Sequence, residues 1–203
     1  MARPQVKRIK KKPLIVICSE GGKKSSEYHY FRNFATRNLR IQFSTGNSTD
    51  PAGMLDDLLK YIKNEDIESE EQCRIFLVLD TDLKSSQINE IDSIRQKCKE
   101  NKIKIITSAP TFEIWYLMHY RTNRLKFNNS KDVKKEIEKI NGSYNETMNL
   151  YDNIKEKTMS AVKIAKSIEE EVDKDGDNIT EKNPHSDIYK VLDAIDNFNC
   201  NNN

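Results

Sequence analysis

Three short apolar stretches limit what this chain can fold into. They read PLIVIC at residues 13–18, RIFLVLD at 74–80 and IKIIT at 103–107. Each is rich in β-branched residues and apolar at consecutive positions, which predicts a strand buried on both faces of a parallel sheet. A fourth stretch, LRIQFST at 39–45, alternates between apolar and polar residues and predicts a strand nearer the edge.

Helical patterns separate these strands and cover residues 25–38, 51–66 and 85–101. Strands that alternate with helices of this length predict βαβ units and a parallel α/β sheet. No further strand is predicted after residue 120, and from Ser130 onward the periodicity is helical. We therefore predict three segments, which are a basic N-terminal arm (1–12), an α/β domain (13–122) and a helical C-terminal elaboration (123–203).

Composition excludes several classes of protein. No apolar run approaches the roughly 20 residues of a membrane span, and the basic N-terminus lacks the apolar core of a signal peptide. The four cysteines are scattered without a C-x-x-C pair, which argues against a zinc knuckle or a disulfide framework. We expect a cytoplasmic protein with reduced thiols and no membrane association.

Charge is unevenly distributed along the chain. The net charge is only +2, but the first twelve residues carry six lysines or arginines and no acid. Such an arm beside a strand is suited to contacting phosphates. It could equally be a solvated tail, and charge alone favours that interpretation.

Acidic residues follow two of the predicted strands. Glu20 comes after the first strand, and Asp80 and Asp82 come at the end of the strand at 74–80. Ligands of parallel α/β sheets bind at the carboxyl ends of the strands. Strand residues two apart point to the same side, so Asp80 and Asp82 are expected to converge while Thr81 faces away. If these two strands are neighbours, Glu20 joins them.

Three clustered acids repel one another unless a cation neutralises them. Mg²⁺ (or Mn²⁺) takes hard oxygen ligands and leaves positions for water and phosphate oxygens, so Glu20, Asp80 and Asp82 predict a metal site for phosphodiester hydrolysis or transfer. In the alternative interpretation, Asp80 caps the following helix and Glu20 begins a solvated loop.

Three lysines are candidates for contacting substrate. Lys23 and Lys24 stand beside Gly21-Gly22 at a predicted helix start, where they could hold a phosphate or simply be solvated. Lys84, two residues beyond Asp82, could neutralise a leaving-group oxygen.

Three further residues have ambiguous roles. Glu113 begins a predicted helix just beyond the strand at 103–107, where it could reach the metal site or favour the helix dipole. Glu27 has the same ambiguity, as a dipole partner or a ligand of a second metal. His119 is more often a satisfied helix histidine than a general base.

The pattern resembles a TOPRIM domain, whose marks are a glutamate after the first strand and Asp-x-Asp after a later one. More specifically, the chain resembles the RloB-like family of bacterial defence proteins, through four segments in order. These are CSEG (18–21) with EYHYF (27–31), VLDTD (78–82), SAPTFEIWYLMHY (108–120) and NPHSDIYKVLDAI (183–195).

The resemblance implies a TOPRIM-like parallel sheet flanked by helices, and a metal-dependent nuclease acting as a toxin in phage defence and abortive infection. It also implies control by an ABC-type ATPase partner and a nucleic-acid substrate, either RNA, for which tRNA is one candidate, or DNA. Two alternatives stay open. One is a phosphatase of the haloacid-dehalogenase type, suggested by DTDL but disfavoured because that family carries the motif on its first strand. The other is a non-catalytic module that binds nucleic acid or an ATPase.

Overall fold

The computed structural model describes residues 12–44, 46–67, 72–123, 125–175 and 182–200, with only the backbone described at 172–175. The basic arm predicted at the N-terminus therefore lies outside the described residues, apart from Lys12.

A five-stranded sheet forms the centre of the protein. Its strands are β1 (Leu14–Cys18), β2 (Arg40–Phe43), β3 (Cys73–Asp80), β4 (Ile103–Ala109) and β5 (His185–Ser186). The strand order is β2-β1-β3-β4-β5. β1 pairs in parallel with β2 and β3, β3 pairs in parallel with β4, and the short β5 runs antiparallel to β4. The predicted α/β architecture is confirmed, and so is the edge position of the strand at 39–45.

The helices lie between and after these strands. In chain order they are α1 (Ser26–Phe31), α2 (Pro51–Asn64), α3 (Ser85–Glu100), α4 (Glu113–Tyr120), α5 (Ser130–Asn141), α6 (Tyr151–Ile154), α7 (Thr158–Asp175) and α8 (Tyr189–Cys200). α1 is shorter than its predicted range, because the chain continues from Phe31 into a single 3₁₀ turn at Arg32–Phe34.

The sheet has a hydrophobic core on each face. Alternate residues of one strand enter different cores, as for Ile15 and Ile17 on one side of β1 and Val16 and Cys18 on the other. The second core is completed by α2 and α3, and the first by α1 and α4 to α8. This explains why the strands are apolar at consecutive positions. The first core is shared by the segments on both sides of residue 122, since the C-terminal helices pack on the same sheet face as α1 and α4.

The expectation that no strand follows residue 120 was wrong in one detail. His185 and Ser186 pair with Ala109 and Ser108 at the edge of the sheet. Two polar residues carry no apolar periodicity, so this strand leaves no signature in the sequence. It is fixed by contacts distant in the chain, including a 2.9 Å contact between His185 Nε2 and Thr107 Oγ1.

None of the helices within the described residues combines the length and the apolar character that crossing a bilayer requires.

Candidate functional site

A pocket lined by acidic residues, the acidic pocket, lies where the central parallel strands end. β1 and β3 are direct neighbours, with Cys18 opposite Leu77, so Glu20 and Asp80 leave the sheet at the same edge. The pocket has a volume of about 250 Å³. Six carboxylates line it, from Glu20, Glu27, Asp80, Asp82, Glu113 and Glu146. Its other described lining residues are Gly21, Ser25, Ser26, Thr111, Ser130 and Lys134.

The segment after β3 is a tight turn and not an extension of the strand. β3 ends at Asp80, and Asp82 and Leu83 adopt left-handed conformations with φ of 48° and 58°. The backbone N–H of Lys84 donates to the carbonyl of Thr81 at 3.0 Å, which closes the turn. Asp82 therefore reaches the pocket through the turn, and the strand periodicity from which we expected its direction does not apply there.

Neither aspartate caps the following helix. The residue at the N-cap of α3 is Lys84, and no side chain provides a capping hydrogen bond there. The carboxylate of Asp82 instead forms an ion pair with Lys84, with 3.0 Å between Oδ2 and Nζ. This removes the alternative in which Asp80 serves as a helix cap.

Glu113 is the most extensively hydrogen-bonded acid of the pocket. It is the first residue of α4 and is buried. Its Oε1 lies 2.8 Å from Ser26 Oγ and 2.7 Å from the hydroxyl of Tyr144, and its Oε2 lies 2.6 Å from Thr111 Oγ1. A ring of hydroxyls suits a carboxylate, which accepts hydrogen bonds with both oxygens.

Thr111 joins two of the acids. Its Oγ1 lies 2.8 Å from Asp80 Oδ2 as well as 2.6 Å from Glu113 Oε2. A hydroxyl has one proton and can donate to only one of them, so the other short contact calls for a proton on a carboxyl group. Burial, reinforced by the charges of Glu27 and Glu113, raises the pKa of Asp80 well above its usual value. The structure thus favours a protonated Asp80 when no cation is bound.

Glu27 is the second buried acid that retains a proton. It lies in the first turn of α1, and burial together with the nearby Glu113 raises its pKa to about 8. α1 is positioned by Ser25, whose Oγ accepts a hydrogen bond from the backbone N–H of Tyr28 at 3.2 Å. The sequence suggested two roles for Glu27, and the structure places it in the pocket wall.

The segment after residue 122 supplies part of the pocket. Tyr144 contacts Glu113 and Ser26, while Lys134 of α5 and Glu146 line the pocket and form an ion pair with each other. None of these three residues was predicted as part of the site from the sequence. Val133 and Ile137 are fully buried, and their spacing was the signal that one face of this helix packs on the α/β core.

The remaining candidates lie at the rim of the pocket or outside it. Glu20 lines the pocket at its rim, with its side chain open to solvent. Partial desolvation of its carboxylate by the pocket wall, together with the charges of Asp82 and Glu146, raises its pKa. Lys23 and Lys24 are exposed in a 3₁₀ turn and do not line the pocket. Lys84 is also outside the lining, with 66% of its side chain exposed.

His119 is placed as a structural histidine. It is buried in α4, with Nδ1 2.8 Å from the carbonyl of Trp115, and burial lowers its pKa to about 4. It does not line the acidic pocket.

The donor set suits Mg²⁺ or Mn²⁺, because it consists of carboxylate and hydroxyl oxygens. Oδ1 of Asp80 is buried and has no hydrogen-bond partner within the described part of the chain, as expected for an oxygen that lacks its cation or proton. In the present side-chain positions, however, no three Asp, Glu, His or Cys residues among those described are close enough together to hold a metal ion. Binding would require loss of protons and rotation of side chains, and the assignment of Glu20, Asp80 and Asp82 as ligands of one metal stays a prediction.

Comparison with known proteins identifies the family of this chain. No significant match was found among curated proteins or among solved structures. The model of the family described as RloB-like protein matches residues 15–195. The matched range contains all five strands, except for the first residue of β1. It also contains every described residue that lines the acidic pocket. Because this match covers most of the chain, the protein belongs to the RloB-like family.

Proposed function

We propose that this protein is a Mg²⁺- or Mn²⁺-dependent nuclease that hydrolyses phosphodiester bonds. The observation that carries the proposal is the pocket of six carboxylates at the carboxyl ends of two adjacent parallel strands. Ligand sites of parallel α/β sheets occur at this edge. Clustered acids are unfavourable for folding without a counter-ion, which is why a cation-dependent activity accounts for them better than a structural role.

The side chains have separate roles in this proposal. Glu20, Asp80 and Asp82 would hold the metal, which supplies an activated water and polarises the phosphate. Thr111 positions the carboxyl group of Asp80 through the 2.8 Å contact described above. Glu113 is held by its three hydroxyl neighbours and in turn holds the Thr111 hydroxyl in place.

Membership of the RloB-like family extends the proposal to the biological role. We infer an effector, or toxin, of antiviral defence that acts in the cytoplasm by abortive infection. Its substrate is a nucleic acid, either RNA, with tRNA as one candidate, or DNA, and an ABC-type ATPase partner restrains it until infection. These inferences rest on the family and on the resemblance of the four motifs.

The phosphatase alternative has weaker support. It requires Asp80 to attack phosphorus as an ionised nucleophile. Asp80 instead lies at the end of β3 and not of the first strand, and its Oδ2 is engaged by the hydroxyl of Thr111. The alternative of a non-catalytic binding module is an outcome of the experiment below.

The test is a cleavage assay with purified protein. RNA, including tRNA, and single- and double-stranded DNA are incubated with Mg²⁺, with Mn²⁺ or with EDTA. We expect cleavage that requires the divalent ion and is lost in Asp82→Asn but kept in Asp196→Asn, an exposed control on α8. Binding without cleavage under every condition would identify a non-catalytic module. Sequencing of RNA and DNA ends after induction, with and without the neighbouring gene product, would identify the substrate in cells.

A further inference from the structure

We propose that Lys134 contacts the scissile phosphate of the substrate and neutralises charge on it during cleavage. The inference deepens the proposed nuclease function and rests on it. Lys134 is the one basic residue among the described lining residues of the acidic pocket, which otherwise consists of carboxylates, hydroxyls and a glycine. A phosphodiester that enters this pocket meets many negative groups, and once the metal is bound a further cation on the opposite wall is needed for charge complementarity.

The backbone that carries Lys134 is firmly held. Its neighbours Val133 and Ile137 are fully buried in the core shared by the sheet and the C-terminal helices. Asn129 caps the start of α5, with Oδ1 accepting from the N–H of Asp132 at 3.0 Å. Gly142 ends the helix with φ of 79°, a conformation that favours glycine. A side chain on such a helix is positioned more precisely than one on a loop.

The ammonium group is available for exchange between partners. Lys134 is ion-paired to Glu146, but 53% of the Glu146 side chain and 32% of that of Lys134 are exposed. An ion pair with this exposure contributes little to stability, so a phosphate oxygen can replace Glu146 at low cost. Burial lowers the pKa of Lys134, but Glu113, Glu146 and Asp80 more than compensate, so that its pKa is raised. Lys134 therefore stays charged at neutral pH.

Lys84, which the sequence suggested as the residue that neutralises a leaving-group oxygen, is placed less favourably than Lys134. Its side chain is mostly exposed, it pairs with Asp82 and it does not line the pocket. Lys84 lies at an exposed turn, whereas Lys134 projects from a helix packed on the core. The position within the fold thus assigns the phosphate contact to the segment after residue 122.

The experiment compares Lys134→Gln and Lys134→Arg with the wild type and with Lys135→Gln. Lys135 is the matched control, because it is the next residue of α5 but is exposed and outside the pocket. Three quantities are measured, namely kcat and KM for the cleaved nucleic acid, the Mg²⁺ concentration that gives half of the maximal rise in melting temperature, and the further rise on adding inorganic phosphate in the presence of Mg²⁺.

We expect Lys134→Gln to lower kcat by about 100-fold with little change in KM, as for loss of one transition-state contact. Its Mg²⁺ midpoint should fall, since a positive charge has left the metal's surroundings. Added phosphate should no longer stabilise it. Lys134→Arg should keep the phosphate effect and recover part of kcat, and Lys135→Gln should behave as wild type.

The outcomes separate this inference from the proposed function. A wild type that cleaves, with Lys134→Gln equal to it in kcat and phosphate effect, would overturn the role of Lys134 alone. A wild type that binds Mg²⁺ and phosphate through Lys134 but never cleaves would overturn the nuclease function and keep Lys134 as a phosphate contact. A wild type that neither cleaves nor responds to phosphate would overturn both. A purely structural lysine predicts a lower melting temperature with cleavage and phosphate response intact.

Discussion

Oδ2 of Asp80 lies 2.8 Å from Oγ1 of Thr111, a hydrogen bond that connects the end of β3 to the segment between β4 and α4. The same hydroxyl is 2.6 Å from Glu113, so a single proton-bearing group stands between two acids. This hydroxyl keeps the two carboxyl groups close without a cation. The acids at the end of β3 and at the start of α4 are therefore held together by this hydroxyl.

Thr111→Val replaces the hydroxyl with a methyl group of similar size. Oδ2 of Asp80 and Oε2 of Glu113 would then lose this partner, and we expect the free energy of unfolding at pH 7 to fall by about 2 kcal/mol. The hydrogen bond from Thr111 also lowers the pKa of Asp80, so its loss should weaken Mg²⁺ binding at neutral pH. Urea unfolding with and without Mg²⁺ measures both effects. Thr49→Val, at an exposed position, is the control. If Thr111→Val were as stable as Thr49→Val, the hydroxyl of Thr111 would not be the bridge between the two acids.

Glu27 should make the metal-free protein less stable as the pH rises above about 6.5. Its folded pKa is about 8, above the value of 4.5 expected in the unfolded chain, so the folded state binds the extra proton. The contribution of the Glu27 proton to the free energy of unfolding is fully present below the unfolded pKa. It is lost as the pH rises through 8, at up to about 1.4 kcal/mol per pH unit for one group. Below 6.5 the trend is opposed by the buried His119 and His185, whose pKa values are lowered.

Glu27→Gln cannot lose a proton, so its unfolding free energy in EDTA should depend less on pH than that of the wild type. Chemical denaturation at pH 6.5, 7.25 and 8 measures the difference. Glu138→Gln, an exposed change on α5, should leave the slope unaltered. A wild type whose stability rises between pH 6.5 and 8 would contradict the placement of Glu27 as a buried, protonated acid.

Mg²⁺ should stabilise the protein more at pH 8 than at pH 6. The ligands must be ionised to bind a metal, and the pKa values of two of the proposed ligands, Glu20 and Asp80, are raised. At a concentration 100 times the dissociation constant, the ion should add about 2.7 kcal/mol to the free energy of unfolding. Melting curves recorded at several Mg²⁺ concentrations at each pH measure this stabilisation. Equal stabilisation at both pH values would argue against carboxylate ligands with raised pKa values.

The strand ends of the site could be predicted from the sequence because buried parallel strands have a local signature. β1 and β3 are continuous apolar runs, and the acids that follow them share an edge once the strands are adjacent. Glu20, Asp80 and Asp82 were found in this way. The conformation of the turn at Asp82 could not be predicted. Left-handed backbone conformations are usually signalled by glycine, but here Asp82 and Leu83 adopt them.

The opposite wall could not be predicted, because it depends on packing between distant segments. Tyr144, Lys134 and Glu146 lie in a region rich in Lys, Glu and Asn, where charged residues usually form a solvated helix surface. Only the burial of Val133 and Ile137 against the core turns one side of α5 toward the acids. A local pattern shows that such a helix has a buried face but does not show what that face meets.

We expect the basic N-terminal arm (1–12) to contribute to substrate binding. Removing residues 1–11 deletes five of its six positive charges. If these charges contact phosphates, affinity should fall and the slope of log K against log salt should become shallower by roughly one unit for each lost contact. Binding to a labelled nucleic acid at several salt concentrations measures this slope. An unchanged slope would identify the arm as a solvated tail.

Asp82 allows charge and backbone conformation to be separated. Its φ of 48° is left-handed, a conformation that asparagine tolerates well and that other side chains disfavour. Asp82→Asn should therefore fold as well as the wild type or slightly better, because one of several repelling acids is gone. The lost ion pair with Lys84 is exposed and costs little. Asp82→Ala should in addition destabilise the turn by about 1 kcal/mol.

Both Asp82 variants should lose metal-dependent cleavage, and any growth arrest caused by expression should disappear with it. Melting curves and the nuclease assay on the same preparations give the two readouts. Equal loss of cleavage in a stable Asn variant and a less stable Ala variant would show that the carboxylate, and not the turn, is required. An Asn variant that is destabilised yet still cuts would show that Asp82 serves the fold, and the metal site proposed here would have to be abandoned.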